Sequence, residues 1–248
     1  MTTDEAADRL AKVAGHALSD SDLALLIDCL GHRRKSVQRR AAELLASGAS
    51  TGPVQAALSA ALSDASLARR WGAAYAWSLI GPPPAAALPV FLEVMGAADG
   101  DLRWAAATIL AGVGPAVVPD VLRLVTQGND AQRKMALYCL RDLRVISNAA
   151  ADAALAALSD AEIAVRLAAL TVLPDLVPDR HAAVAGVLRL IHDPIPGVRR
   201  AAVTVLGDLG QSTPEVVAVL RGAAKSDDAA HRRAAERALR LLAIVDRG

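Results

Sequence analysis

Aromatic side chains are nearly absent from this 248-residue chain, which holds three Trp, two Tyr and one Phe. A core with so few rings must be filled mainly by Ala, Leu and Val, and small apolar side chains let helices pack closely. Excess charge is also lacking, because 27 Lys and Arg are balanced by 26 Asp and Glu. The net charge of +1 gives no overall signal for nucleic acid or a membrane surface.

The chain also lacks the residue patterns of common catalytic and metal sites. Cys29 and Cys139 are far apart in apolar sequence, so we expect two reduced core thiols. No phosphate-binding G-x-x-x-x-G-K-[ST], no H-x-x-x-H pair and no G-x-S-x-G turn is present. We therefore predict no metal and no cofactor and favour a non-enzymatic protein, although the sequence leaves open whether any catalysis occurs.

One uncharged run, residues 71–92, has the length of a membrane span. The segment GPPP at 81–84 interrupts it, and proline breaks helices because it lacks the backbone N–H. We therefore expect two buried helices joined by a turn. The start of the chain, MTTDEAADRL, is acidic and has no apolar signal region, so we expect a cytoplasmic protein that does not enter a membrane.

A repeated pattern is what the sequence does contain. An Arg followed by Ala three residues later recurs at spacings of 31, 33, 30, 33, 33 and 33 residues. Each unit shows two helical patterns separated by short Gly, Pro, Ser and Asp segments. We call the first helix A and the second, which begins near the Arg, helix B. The marker arginines are Arg39, Arg70, Arg103, Arg133, Arg166, Arg199 and Arg232.

Such repeats predict an all-α chain, an α-solenoid in which each helical hairpin needs neighbours to bury its apolar sides. We expect one domain over residues 1–248, with an N-terminal capping helix at 1–20 and seven repeats at 21–245. Thr213, Pro214 and Glu215 together form a helix-start signature, with a cap, a first-turn proline and a first-turn acid.

An aspartate stands six residues before several marker arginines, and the pattern D-x-x-x-x-V-R-x-x-A resembles HEAT repeats, especially the bacterial phycobilisome-lyase-like kind. The resemblance implies a right-handed α-α superhelix of about seven two-helix HEAT-like repeats. It also implies a structural ladder in which loop Asp and helix Arg tie repeats together. Repeats 1, 3, 4 and 7 lack the Asp, and the ladder residues are Asp64, Arg70, Asp160, Arg166, Asp193 and Arg199.

A helix turns about 100° per residue, so positions counted from the marker Arg divide helix B into two faces. Positions −1, +2, +3, +6, +7 and +10 are predicted to form the core, which places Trp77 inside. Positions +1, +4, +5 and +8 lie opposite. Since the B helices of HEAT-like stacks line the concave surface, we expect these positions to form a groove.

Four of the six aromatic residues fall on the predicted groove. Trp71 and Trp104 share position +1 in adjacent repeats, so their rings should be neighbours. An exposed patch of this composition indicates a binding surface, whereas the alternative is that the tryptophans simply pack against neighbouring helices. The predicted groove residues are Trp71, Tyr75, Trp104, Tyr138, Lys134, Leu137, Arg141, Leu167, Leu170 and Arg200.

Three functions are compatible with this pattern. The leading one is a scaffold or adaptor whose groove binds a peptide or partner protein segment through aromatic anchors and arginines. The second is a small apolar or acidic ligand, bound with lyase- or isomerase-like chemistry in a cleft between Trp71 and Trp104, because phycobilisome-lyase-like relatives handle bilins. The third is DNA binding as in HEAT-like DNA glycosylases, which the neutral net charge disfavours.

Overall fold

The computed structural model describes residues 3–13, 18–48 and 52–245, and in these ranges every regular element is a helix. Helix α1 (Thr3–Val13) precedes seven pairs of helices, each of which contains one marker arginine in its second member. The prediction of an all-α chain of seven two-helix repeats is therefore confirmed. Residues 1–2 and 14–17 of the predicted capping helix lie outside the described ranges.

The helices alternate between the two types that the sequence predicts. The A helices are α2 (Asp20–Cys29), α4 (Gly52–Ala61), α6 (Leu88–Val94), α8 (Val118–Gln127), α10 (Asn148–Ala157), α12 (Arg180–Leu188) and α14 (Pro214–Ala223). The B helices are α3 (Lys35–Ser47), α5 (Leu67–Ile80), α7 (Gly100–Val113), α9 (Asp130–Asp142), α11 (Ile163–Leu176), α13 (Pro196–Leu209) and α15 (Ala229–Val245). Short 3₁₀ turns at Ala85–Ala87, Pro115–Val117 and Arg189–His192 adjoin α6, α8 and α12.

Side-chain caps explain where several helices begin. Thr213 caps α14 as predicted, since its hydroxyl accepts a hydrogen bond from the Val216 N–H at 3.3 Å. Ser19 with Asp22 forms a capping box at the start of α2, and Asn129 with Gln132 forms another at α9. These side chains satisfy first-turn N–H groups that have no partner within the helix.

The chain divides into two compact units, Met1–Val117 and Val118–Gly248. In the first unit α3 packs on α1 and on α5, and each A helix packs on the B helix that follows it. In the second unit α9, α11, α13 and α15 pack side by side in succession. The Ala at +3 is fully buried in all seven repeats, as Ala42, Ala73, Ala106, Ala136, Ala169, Ala202 and Ala235. This small side chain lets neighbouring helices approach closely.

The uncharged run at 71–92 forms the end of α5, a turn and α6, so the proline segment separates two helices as expected. No single helix in the described ranges is long and apolar enough to cross a membrane. The consecutive helical segments Gly100–Val113 and Pro115–Gln127, which are bent relative to each other, meet that test only as a pair, by length and composition.

Both cysteines are buried thiols in the helical core. Burial raises the pKa of Cys139 to about 12, and the charge of Asp142 adds to this effect. The thiol of Cys139 is therefore protonated at neutral pH and lacks the thiolate character that nucleophilic cysteines require.

One glycine marks an unusually close approach between two B helices. A Cβ added to Gly207 on α13 would lie 2.7 Å from the Cβ of Ala238 on α15 and 2.8 Å from its Cα. Real Cβ atoms do not approach other atoms this closely, so α13 and α15 must separate if the position carries a side chain. The two helices can therefore lie this close only because residue 207 has no Cβ.

We expect Gly207→Ala to lower the free energy of unfolding by about 1–3 kcal/mol, the usual range for overpacking, even though Ala is the better helix former. Gly222→Ala is the matched control, because Gly222 lies on α14 with nothing within 4 Å of an added Cβ. That control should be neutral or stabilising by up to about 1 kcal/mol. Urea unfolding measures both variants, and equal stabilities would contradict the close approach.

Candidate functional site

Fewer positions of the B helices are exposed than the sequence predicts. Position +4 was assigned to the groove, yet Leu137 and Leu170 are completely buried, as are Ala74 and Val203. The reason is the side-by-side packing of neighbouring B helices, which covers +4 as well as +3. Glu43 and Glu236 occupy +4 in the first and last repeats and are exposed. The prediction that Leu137 and Leu170 are exposed is therefore wrong, although Leu170 still lines a groove of the second unit.

Trp71 is also buried, with only 4% of its surface exposed, so its assignment to the groove surface is wrong. Its ring stacks on Tyr75, with centroids 5.7 Å apart and planes at 24°, and meets the edge of Phe91 at 6.0 Å and 86°. Because α6 supplies Phe91, the indole is fixed between its own helix and the following A helix. The packing alternative for this tryptophan fits the structure.

Of the other two tryptophans, Trp104 lies at the surface as predicted, whereas Trp77 is less buried than predicted. Trp104 is 45% exposed, as expected for a surface position. Trp77, predicted as a core residue, is only partly buried, and its indole N–H is buried without a hydrogen-bond partner. The pocket beside Trp71 is lined by residues of α3, α5 and α7, and Trp104 is not among them.

A salt bridge links α3 to α7 in the first unit. The Lys35 ammonium lies 2.6 Å from an Asp99 carboxylate oxygen and 3.0 Å from one of Asp101. The hydrogen bond to Asp99, followed by that to Asp101, raises the pKa of Lys35, and the hydrogen bond from Lys35 lowers the pKa of Asp99. We call these three residues the Lys35 clamp. They lie next to the pocket that contains Trp71 and Tyr75.

Four of the predicted groove residues lie on α9 in the second unit, namely Lys134, Leu137, Tyr138 and Arg141, and the last two interact with each other. Arg141 lies over the Tyr138 ring, with its guanidinium carbon 5.2 Å from the ring centroid. The same guanidinium makes an ion pair with Asp142 at 2.9 Å. Lys134, Tyr138 and Arg141 are each partly buried, and none of them lines the groove described next.

The second unit carries an open groove of about 600 Å³ along α11, α13 and α15. Leu167, Leu170 and Arg200, all predicted from the sequence, line it. Sequence reasoning placed Arg233 and Arg237 on the same face but did not select them as binding residues. We call this the arginine groove; it is lined by Leu167, Leu170, Thr171, Pro174, Gly197, Arg200, Ala201, Thr204, Val205, Asp208, Arg233, Ala234 and Arg237.

The charges of the arginine groove are unbalanced. The guanidinium groups of Arg200, Arg233 and Arg237 are on exposed residues and make no hydrogen bond or ion pair with any described residue. Asp208 is the only carboxylate among the described lining residues. Asp228, whose pKa is lowered mainly by hydrogen bonds from the backbone of His231 and Ala230, feels the Arg200 charge only as a weaker effect. The groove therefore offers three arginines whose hydrogen-bonding capacity is free for a ligand.

A larger groove of about 800 Å³ lies on the A-helix side of the second unit. His181, His192 and Glu215 line it together with apolar residues of α12 and α14. No group of three or more His, Cys, Asp or Glu with metal-binding geometry occurs in the described part of the chain. Its one arginine, Arg189, is matched by one glutamate, so this groove carries no comparable charge imbalance.

The marker arginines have a structural task that sequence reasoning did not identify. In six of the seven repeats, the guanidinium donates to one or two backbone carbonyls in the loop between helices A and B. Arg166, for example, donates to the carbonyls of Asp160 and Ala161 at 2.8 and 3.0 Å. These carbonyls have no partner within helix A, so the arginine fixes the end of one helix to the side of the next.

Two inter-repeat ion pairs add to these contacts. Arg133 makes two hydrogen bonds, at 2.8 and 2.9 Å, to Asp160 of the following repeat. Arg166 reaches Asp193 in the same way at 3.0 and 3.3 Å. Burial opposes ionisation of Asp160, but the Arg133 hydrogen bond and other donors outweigh it and lower the pKa of this carboxyl.

The remaining residues of the predicted ladder have other partners. Arg70 binds both carboxylate oxygens of Glu93 on α6 at 2.7 Å, and Asp64 accepts a 2.8 Å hydrogen bond from Arg69. Arg199 donates only to the carbonyls of Asp193 and Pro194, because Ser226 stands where the next repeat would offer an aspartate. Nothing in the sequence pattern singled out Glu93 or Arg69.

The arrangement of helical hairpins, buried alanines and loop-capping arginines is that of an α-helical repeat fold. Residues 151–240 match the family model of HEAT repeats, as the resemblance seen in the sequence predicts. This segment therefore consists of HEAT repeats, and the preceding helical pairs have the same two-helix organisation. No curated protein matches the chain.

Solved structures with the same fold include a complex of CpcE and CpcF of phycocyanin lyase from Nostoc sp. PCC7120. It is 23% identical with a TM-score of 0.53, and the match covers 64% of this chain and 99% of that one. The Escherichia coli protein YibA is 17% identical with a TM-score of 0.59, over 98% and 93% of the two chains. Importin beta is 13% identical with a TM-score of 0.58, over all of this chain and 38% of that one. At these identities the similarity shows the fold.

Trp71 and Trp104 share position +1 in their repeats but differ in burial, so Trp71 is a core residue and Trp104 a surface residue. We expect Trp71→Ala to lower the free energy of unfolding by about 3–5 kcal/mol, because it removes a buried ring from contact with Tyr75 and Phe91. Trp104→Ala, at a half-exposed position, should cost less than about 1 kcal/mol. Chemical denaturation of the two variants tests this, and a larger loss for Trp104→Ala would reverse the assignment.

The Arg166–Asp193 pair should be far more important for stability than an exposed ion pair. Both side chains are at least 89% buried, with 11% and 5% exposed. Asp193→Ala leaves the Arg166 guanidinium without its carboxylate and should cost about 3–5 kcal/mol. Asp120→Ala breaks the exposed Arg123–Asp120 pair on α8 and should cost at most about 0.5 kcal/mol. Similar thermal melting temperatures for the two variants would show that the buried pair contributes no more than the exposed one.

Proposed function

We propose that this chain is a protein-interaction scaffold whose second unit binds an acidic segment of a partner protein in the arginine groove. The observation that carries the proposal is the set of three arginines, Arg200, Arg233 and Arg237, that share this groove and use none of their donors within the described chain. Arginine forks bind carboxylates through two parallel hydrogen bonds, which gives both strength and orientation.

The apolar part of the groove favours a partner that also carries hydrophobic side chains. Leu167, Pro174 and Val205 line it beside the arginines. Thr171 and Thr204 also line it, and their hydroxyls donate to backbone carbonyls of their own helices, at 2.8 and 3.1 Å, so they present methyl groups without an unused donor. A segment that alternates Glu or Asp with Leu or Val would complement both kinds of surface.

The distribution of charge favours a protein segment over a nucleic acid. Asp208 sits among the arginines of the groove, and the chain as a whole has a net charge of only +1. A continuous row of phosphates would meet the Asp208 carboxylate, whereas a peptide can place an apolar or basic side chain there. Nucleic-acid binding normally depends on a more extensive positive surface.

The comparisons support a binding role without naming the partner. Residues 151–240, which match the HEAT-repeat model, include all of the residues that line the arginine groove, from Leu167 to Arg237. The phycocyanin lyase structure with the same fold is a complex of CpcE and CpcF. Rigid stacked repeats offer an extended surface that loses little conformational entropy on binding.

Replacement of Arg200, Arg233 and Arg237 by Gln should abolish most of the binding of an acidic amphipathic segment. A fluorescein-labelled peptide of alternating Glu and Leu serves as the probe in fluorescence anisotropy. We expect its affinity to fall by about tenfold or more, since arginines at such surfaces carry much of the binding energy. The exposed positions should leave the fold and its melting temperature nearly unchanged.

The charge-matched control replaces Arg123, Arg221 and Lys225, which are exposed on or beside A helices, by Gln. This variant should bind the peptide as the wild type does. Equal peptide affinity for both triple variants would show that net charge, rather than the groove, attracts the peptide. A labelled single-stranded oligonucleotide that binds more tightly than the peptide, and loses affinity in the groove variant, would replace the proposal with nucleic-acid binding.

A further inference from the structure

A second pocket lies in the first unit, remote in sequence from the arginine groove, and has different chemistry. Its volume is about 140 Å³, and it lies between α3, α5 and α7. The side chains that determine its chemistry are Lys35, Gln38, Arg39, Trp71, Tyr75 and Asp101. A cavity of about 150 Å³ is large enough for a single benzene-sized ring, so the pocket suits one aromatic ring and its substituents.

One wall of this pocket is a fixed aromatic surface. Trp71 is stacked on Tyr75 and held from the side by Phe91, so the indole cannot rotate without disturbing α6. Tyr75 is only partly buried, and Leu102 and Ala105 of α7 complete the lining. Aromatic rings prefer offset stacking or edge contacts with other rings. A preformed wall of this kind selects a flat ligand.

Gln38 supplies a hydrogen-bond acceptor whose orientation is set by the backbone. Its side-chain amide group donates from Nε2 to the carbonyls of Leu30 and Ala68, at 2.5 and 2.9 Å. Both partners are acceptors, so Nε2 must face them, and Oε1 is what the side chain has left to offer a ligand. Gln38 is 8% exposed, and it lines the pocket. An acceptor on a residue that lines the pocket suits a ligand with an O–H or N–H group.

Arg39 supplies an unpaired positive charge to the lining of this pocket. It is the one marker arginine that makes no hydrogen bond to a loop carbonyl, and its guanidinium has no hydrogen bond or ion pair with any described residue. The Lys35 ammonium, by contrast, is held by Asp99 and Asp101 in the Lys35 clamp. Two carboxylates and two cations thus lie at or beside the pocket, and Arg39 is the cation whose donors have no partner among the described residues.

We infer that the pocket binds a small aromatic carboxylate that also carries a hydrogen-bond donor on its ring. The ring packs against Trp71 and Tyr75, the carboxylate pairs with the Arg39 guanidinium, and the donor reaches Gln38 Oε1. This site is independent of the arginine groove and is distinct from a role in binding partner proteins. The first unit would then bind a small molecule, whereas the second unit binds a protein segment.

The probe for this site is 4-hydroxybenzoate, compared with the neutral 4-hydroxybenzamide and the cationic 4-hydroxybenzylamine. Titrations are followed by two-dimensional NMR of the ¹⁵N-labelled full chain, using the three indole N–H signals and the side-chain amide of Gln38. We expect 4-hydroxybenzoate to shift the Trp71 and Gln38 signals in a saturable way, and to bind about tenfold more tightly than 4-hydroxybenzamide, because only the acid forms a charge-assisted pair with Arg39.

Arg39→Gln should weaken 4-hydroxybenzoate binding to the level of the neutral amide and leave the fold intact, because the side chain is exposed and has no hydrogen bond or ion pair with a described residue. Arg40→Gln is the matched control on the same helix; Arg40 pairs with Glu43 and does not line this pocket. Equal affinity of the wild type and Arg39→Gln would overturn the inference. Tighter binding of the cationic probe, or no saturable shift of Trp71, would overturn it as well.

Discussion

The contact on which the rest of this structure depends is the hydrogen bond from a marker arginine to the loop between helices A and B. A helix leaves its last carbonyls without partners, and a tight turn between two buried helices cannot leave all of them to water. An arginine one turn into helix B reaches back across the loop and satisfies them, as Arg166 does for Asp160 and Ala161. Each hairpin therefore has one fixed geometry, and neighbouring hairpins can pack in a regular way.

The same contact determines which faces of helix B remain open. With six hairpins held in the same way, the Ala at +3 is buried in every repeat, and the +4 side chain is covered as well in repeats 2 to 6. The open surface is reduced to positions such as +1, +5 and +8. In the second unit, Arg200, Arg233 and Arg237 occupy these positions. The charge of the groove thus depends on the few positions that close packing leaves exposed.

Periodicity in the sequence was sufficient for the fold, because spacing and turn residues are local signals. Seven markers at nearly constant intervals identify seven hairpins, and Thr213 identifies the start of α14. The candidate site was harder to predict, because it depends on distances between helices. An angular count around one helix places Trp71 on an outer face, but it contains no information about Phe91, which covers that face from α6. It also contains no information on how closely Leu137 and Leu170 approach the next helix.

The last repeat is held differently from those before it, and this has a thermodynamic consequence. Arg199 has no acidic partner in repeat 7, so α15 is held to α13 by apolar packing and by the close contact at Gly207. In a stacked-repeat chain, a repeat separates from its neighbour more easily where an inter-repeat ion pair is missing. Two of the groove arginines, Arg233 and Arg237, stand on this helix, while Arg200 stands on the one before it. A partner that binds all three arginines therefore contacts both α13 and α15. Part of its binding free energy then stabilises the packing of α15 on α13.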